Sequence, residues 1–168
     1  MRAFSIAAAL LLASAAPLAV VGAAVAAPAS VTVTIGPELQ AKAAKDLGQR
    51  DVDDLAKELR KGVEKQLAKT GAYDGARIEL QLTDAKPNRP TFKQMSDRPG
   101  LSFESFSIGG AKIDGHAIAA DGHVTPLSYS YFEPDIRWAR LSGTWSDAQW
   151  TIDRFAYRLG RGEVVASR

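Results

Sequence analysis

Two kinds of hydrophobic spacing alternate along the chain, and together they determine its type of fold. Residues 31–35 and 76–84 alternate apolar with polar side chains, which is typical of β-strands that bury one face. Between Asp51, a predicted cap, and Gly71, apolar residues recur every three or four positions, which predicts a helix with one apolar stripe. A strand, a helix and a strand in this order favour a right-handed crossover with parallel strands.

A hairpin is predicted in the second half of the chain. Alternating residues 111–117 and 124–132 flank Asp121-Gly122, a dipeptide typical of tight hairpin turns. A two-residue turn at this dipeptide would place His116 opposite Leu127 and His123 opposite Ala120.

The last predicted element is a helix that begins at Ser146, with Gln149 at capping-box spacing, and ends at Gly160. Its apolar stripe contains Ala148, Ile152, Phe155 and Leu159. The predicted fold is therefore an α+β two-layer sandwich, in which a mixed sheet of about four strands carries two helices on one face in the order β-α-β-β-β-α.

An uncharged, alanine-rich stretch precedes the first strand. It begins after Arg2, contains no charged residue up to Ala29, and has small side chains at Ala24 and Ala26, the positions that a signal peptidase recognises. We predict a secretory signal peptide over residues 1–26, cleaved between Ala26 and Ala27, and a single α+β domain over residues 27–168. An uncleaved membrane anchor is the alternative. The expected location is periplasmic or secreted, with no membrane attachment after cleavage.

Composition excludes several classes of function. The chain contains no cysteine, which removes disulfides, thiol nucleophiles and thiolate metal sites. Its net charge is +2, and removal of Arg2 with the signal lowers it to +1, whereas nucleic-acid binding needs a concentrated basic face. His116 and His123 each follow an Asp-Gly pair, but two histidines are a weak metal signal. We therefore predict no metal, no cofactor and no nucleic-acid partner.

Catalysis is the second hypothesis. Glu133 and Asp135 lie at the predicted end of a strand, where pairs of acid and base groups occur. No Gly-x-Ser-x-Gly nucleophile motif is present. A small hydrolase that uses Glu133, Asp135 or a histidine would require these groups to converge in one pocket.

Binding is the first hypothesis, and it rests on two polar segments, Asp84 to Ser102 and Asp135 to Arg140. Prolines at positions 87, 90 and 99 stiffen the region from Asp84 to Ser102, which the sequence predicts to be a loop. The predicted partner-binding residues are charged, amide or aromatic: Asp84, Lys86, Asn88, Arg89, Arg98, Asp135, Arg137 and Trp138. Alternatively, Arg137 and Arg140 only form ion pairs with nearby acids.

The expected function is a non-enzymatic binding module whose partner is an envelope protein or a cell-wall component. A third hypothesis is a small-ligand carrier, which would contain a large apolar pocket. The sequence predicts neither the identity of the ligand nor the oligomeric state.

Three short segments of the chain resemble a known group of proteins. They are residues 86–91, Lys-Pro-Asn-Arg-Pro-Thr, the strand entry Gly109-Gly110-Ala111, and residues 133–137, Glu-Pro-Asp-Ile-Arg. With the helices, they resemble small exported proteobacterial proteins classed as a domain of unknown function, over most of the mature chain. The resemblance implies a periplasmic or secreted location and no particular activity.

Overall fold

The computed structural model describes residues 27–163, and its main elements follow the predicted order. The predicted signal peptide, with Ala26, lies outside the described residues, and Ala27 is the first residue described. The elements are β1 (Ser30–Ile35), α1 (Pro37–Lys42), a π-helical turn (Ala43–Leu47), α2 (Gln49–Thr70), β2 (Arg77–Lys86), α3 (Phe92–Asp97), β3 (Gly110–Ile118), β4 (Val124–Phe132), a 3-10 turn (Ile136–Trp138) and α4 (Ser146–Gly160).

The four strands form one mixed sheet in the order β1-β2-β3-β4. Strands β1 and β2 pair in parallel, with Val31 opposite Ile78, whereas the pairs β2–β3 and β3–β4 are antiparallel. Helix α2 packs against β1 and against α4, and α4 packs against β3 and β4. Both long helices therefore cover one face of the sheet, which confirms the predicted α+β fold.

The core lies between the sheet and these two helices. The predicted stripes are buried in both helices: Val52, Leu55, Leu59, Val63 and Leu67 in α2, and Ala148, Ile152, Phe155 and Leu159 in α4. On the sheet they face residues such as Ile78, Leu80 and Leu82. The other face of the sheet carries polar side chains and is open. No helix within residues 27–163 is both long enough and apolar enough to cross a membrane.

Two segments for which no helix was predicted contain short helices. Helix α1 begins at Pro37, a residue favoured in the first helical turn, and buries Leu39. Helix α3 begins after Thr91, whose hydroxyl accepts from the Gln94 N–H while the Gln94 side chain accepts from the Thr91 N–H. The region from Asp84 to Ser102 is thus the end of β2 followed by a short capped helix, and its prediction as a continuous loop was wrong.

The predicted element ends also needed correction. Helix α2 begins at Gln49 after Gly48, so Asp51 lies in its first turn and is not its cap. The hairpin turn has three residues, 120–122, because Ala119 N–H donates to His123 C=O, and Gly122 takes a left-handed φ of 86°.

This longer turn places His116 opposite Pro126, not Leu127. At the last helix, Ser146 is a helical residue whose hydroxyl bonds Gly143, so the predicted capping box does not form. Gly71, in contrast, ends α2 as predicted, with a φ of 70° and its N–H bonded to Leu67 C=O.

Candidate functional site

A groove of about 680 Å³ opens at the end of the sheet where β2 stops and β3 begins. One wall is formed by residues 42–47 at the end of α1 and in the π-helical turn. The floor is the end of β2 and the proline-rich segment that follows it, residues 84–90. Gln94, Arg98, Leu101, residues 105–108 and Phe132 complete the lining. Its volume lies within the range of small-molecule sites, about 300–1,000 Å³.

The groove brings together five of the eight predicted partner-binding residues: Asp84, Lys86, Asn88, Arg89 and Arg98. Asp135, Arg137 and Trp138 do not line it. They form a separate 3-10 turn in which the Arg137 Nε donates to Asp135 Oδ1 at 3.0 Å and Trp138 is 73% exposed. This ion pair lowers the pKa of Asp135, chiefly through the side-chain hydrogen bond from Arg137. The two predicted segments therefore do not line the same groove.

Asn88 is a supporting residue and not an open contact, since it is only 1% exposed. Its Nδ2 donates to Asp147 Oδ2 at 2.6 Å and to Ser107 C=O at 3.3 Å. Its Oδ1 accepts from the Asp147 N–H at 2.8 Å. Gly109 packs so closely that a Cβ there would lie 2.5 Å from Asn88 Oδ1. Asn88 thus joins the floor of the groove to α4 and to the segment that enters β3.

Asp147 is the centre of a buried polar cluster behind the groove. Its side chain is fully buried, and its carboxylate also accepts from Gly109 N–H at 3.2 Å and from Arg140 Nη1 at 3.0 Å. Burial alone would raise the pKa of Asp147, but the hydrogen bonds from Asn88, Arg140 and Gly109 outweigh it, so the pKa is lowered. The Arg140 guanidinium also stacks on the Trp150 ring, 4.1 Å from its centre. The carboxylate is therefore held ionised.

Arg89 connects the outer loops of the groove, the segments around Phe103 and Leu141. Its Nε and Nη2 donate to Leu141 C=O at 3.1 and 3.0 Å, and its Nη1 donates to Phe103 C=O. A guanidinium has five N–H donors, so two stay without a partner among the described residues. Arg89 therefore shapes the site and still lines it with positive charge.

Within the described part of the chain, the remaining charges of the groove fall into two ion pairs and one cation without a carboxylate partner. Lys42 Nζ lies 2.8 Å from Asp84 Oδ1, and Arg98 pairs with Asp46. Lys86 is exposed, and its ammonium has no carboxylate within 4 Å among residues 27–163. With Arg89, this leaves the groove an excess of two positive charges.

The residues of the hydrolase hypothesis do not converge. Glu133 is buried, accepts from Tyr131 Oη at 2.7 Å and lies 3.9 Å from Arg140 Nη1. The pKa of Tyr131 is raised, mainly because this hydrogen bond favours the protonated hydroxyl. None of Glu133, Asp135, His116 and His123 lines the groove.

The two histidines lie elsewhere. His116 Nε2 is 3.0 Å from Glu79 Oε2 on the open face of the sheet, and His123 is exposed at the hairpin. Over residues 27–163, no three His, Asp or Glu side chains are close enough together to share a metal ion.

Sequence reasoning missed several residues of the groove. Lys42, Asp46 and Leu47 come from the segment between β1 and α2, and Phe106 and Ile108 come from the segment before β3. The signal for the first three was Pro37 followed by Leu39, Ala43 and Leu47, apolar residues four apart. Nothing in the sequence marks Phe106 and Ile108 as neighbours of Lys86.

Comparison with protein-family models, with curated proteins and with solved structures gives no match for this chain. The resemblance to small exported proteobacterial proteins therefore stays a prediction.

Proposed function

We propose that this chain is an exported, non-enzymatic binding domain of the cell envelope that holds its ligand in the groove at the end of β2. The observation that carries the proposal is the groove, because apolar walls and a few convergent polar groups are the usual features of a ligand site. The proposal shares a small-molecule ligand with the carrier hypothesis, but that hypothesis expects a cavity enclosed by the sheet and the helices, and no residue of α2 or α4 lines this groove.

Rigidity of the walls supports the proposal. Asn88, Arg89 and Asp147 bond the floor, the outer loops and α4 to one another, and every buried side-chain nitrogen or oxygen of the described residues has a hydrogen-bond partner. A preformed site loses little conformational entropy when a ligand enters. The polar residues around the prolines thus serve binding mainly by shaping the site.

Export is supported by the uncharged, alanine-rich residues 3–29. Since β1 begins at Ser30, cleavage between Ala26 and Ala27 takes no element away from the described fold. Expression of the full chain in a Gram-negative host tests this. We expect periplasmic protein whose N-terminal sequence starts at Ala27, whereas cytosolic protein that starts at Met1 would contradict export.

The groove itself is tested by two matched aspartate variants. Phe106 lines the groove and is 54% exposed, and Tyr157 on the outside of α4 is 53% exposed. Wild-type, Phe106→Asp and Tyr157→Asp proteins, purified from the periplasm and checked by circular dichroism, are analysed by native mass spectrometry. We expect a retained small molecule on the wild type and on Tyr157→Asp, and its loss from Phe106→Asp. Equal retention by all three would place binding outside the groove.

A further inference from the structure

We infer that the groove binds an amphipathic anion, specifically an acyl chain that ends in a carboxylate. This inference rests on the proposed function and adds the chemistry of the ligand. The chain would lie along the apolar walls, and the carboxylate would lie at Lys86.

The walls favour an apolar chain. Leu47, Leu101 and Ile108 line the groove with two prolines, and Phe106 and Phe132 add aromatic surface. Burying apolar ligand surface against such walls gains about 25 cal/mol per Å². The groove is open on one side, so a chain can enter without any movement of the walls.

The backbone of the floor disfavours a peptide as the ligand. The N–H of Ala85 bonds Asp84 Oδ1, and the N–H groups of Asn88 and Arg89 bond Thr144 C=O. Pro87 and Pro90 have no N–H. None of these floor residues therefore offers a free backbone N–H to an extended peptide, whose carbonyl groups would depend on the side chains of Lys86 and Arg89 or on water. A plain alkyl chain has no such groups.

The charges of the groove favour an anionic head. Both carboxylates of the lining are engaged, Asp84 with Lys42 and Asp46 with Arg98. Lys86 and Arg89 have no carboxylate partner among the described residues, but Arg89 is held by the carbonyl groups of Leu141 and Phe103, whereas Lys86 lies on the floor beside Pro87 without such bonds. A ligand carboxylate would supply that partner. A cationic head would meet the excess positive charge.

Three eight-carbon ligands that differ only in the head group test the inference: octanoate, 1-octanol and octylammonium. Binding to the 27–168 protein is measured by isothermal titration calorimetry at low ionic strength. We expect octanoate to bind most tightly and octylammonium most weakly. Added salt should weaken octanoate binding and leave 1-octanol binding unchanged. Tighter binding of 1-octanol or octylammonium than of octanoate would overturn the inference.

Two lysine variants locate the head group. Lys86→Gln should weaken octanoate binding about fivefold, the scale of one exposed ion pair, and leave 1-octanol binding unchanged. Lys61 on α2 is also exposed and has no carboxylate within 4 Å in the described part of the chain, so Lys61→Gln is the matched control and should change neither. Equal octanoate affinity in Lys86→Gln and wild type would overturn the placement at Lys86.

Two further measurements separate the inference from the proposed function. If 1-octanol binds as tightly as octanoate and Phe106→Asp abolishes both, the groove is a binding site but the anionic head is wrong. If none of the three ligands binds, the acyl-chain inference is overturned, whereas the proposed function is then judged by small-molecule retention in the Phe106→Asp and Tyr157→Asp proteins. An acetylated apolar tripeptide with a free carboxylate that binds more tightly than octanoate would contradict the acyl chain.

Discussion

Replacement of Asn88, the only asparagine of the chain, by alanine removes the connection between the groove and α4. The variant loses three hydrogen bonds, at 2.6, 2.8 and 3.3 Å, and leaves the Asp147 N–H buried without its acceptor. An unsatisfied buried N–H costs about 1–3 kcal/mol, and a lost hydrogen bond to a carboxylate about 1.5–3 kcal/mol. We therefore expect Asn88→Ala to lower the free energy of unfolding by about 3–5 kcal/mol.

Urea unfolding, followed by the fluorescence of the buried Trp145, measures this loss. The urea midpoint should fall. The slope of the free energy of unfolding against urea concentration should stay unchanged, since the variant and the wild type expose nearly the same surface area on unfolding. Gln149→Ala, which removes a single exposed hydrogen bond to Glu58, is the control and should change stability by about 0.5 kcal/mol or less. A loss below about 1 kcal/mol in Asn88→Ala would refute the supporting role of Asn88.

Asn88→Asp is a second test of the supporting role of Asn88. The side chain keeps its shape, but the Nδ2 donor becomes a second carboxylate oxygen beside Asp147, 2.6 Å away in the wild type. Like charges at this separation prevent both groups from being ionised together. We expect Asn88→Asp to be less stable than Asn88→Ala at neutral pH and to recover part of the difference in acid. Wild-type stability at neutral pH would contradict the account of the cluster.

Three further predictions concern the same region. Gly109→Ala should lower stability by about 1–3 kcal/mol in urea unfolding, because its Cβ would clash with Asn88 Oδ1 and with Lys86 C=O; an unchanged midpoint would contradict the close contact. Thr91→Ala should cost about 1 kcal/mol and raise amide hydrogen exchange in α3, through loss of the capping box. The pKa of Asp147 is lowered from 3.8 in the folded protein, so the ionised carboxylate stabilises the fold fully above that value. This stabilisation is lost as the pH falls through the lower folded pKa. The decrease in the free energy of unfolding towards acid pH should therefore be shallower in Asp147→Asn.

The fold was largely predictable because its signals are local. The stripes of α2 and α4 and the alternation in β2 repeat within a few residues, and each periodicity alone specifies which face is buried. Gly71 was recognised as the end of α2 for the same reason, because this signal too is local. The short helix α3 was missed although Thr91 and Gln94 have capping-box spacing, because three prolines and few apolar residues surround it.

The groove was only partly predictable because its contacts are remote in sequence. The proline-rich segment was identified from its own residues, but Asn88 and Asp147 are 59 positions apart, and Arg89 and Leu141 are 52 apart. No local pattern indicates that Asn88 is buried while Lys86, two residues earlier, is exposed. The ion pairs that were considered for Arg137 and Arg140 are present in the structure, with Asp135 and Asp147 as their partners.

A residue-resolved titration tests the central claim, that the groove is the binding site, most directly. Amide shifts of isotope-labelled 27–168 protein are recorded by NMR as octanoate is added. We predict saturable shifts concentrated in residues 84–90 and 101–108, with none in the 3-10 turn around Arg137 or on the open face of the sheet around His116. Shifts confined to either of those places would contradict it, whereas no saturable shift at all would overturn an acyl carboxylate as the ligand.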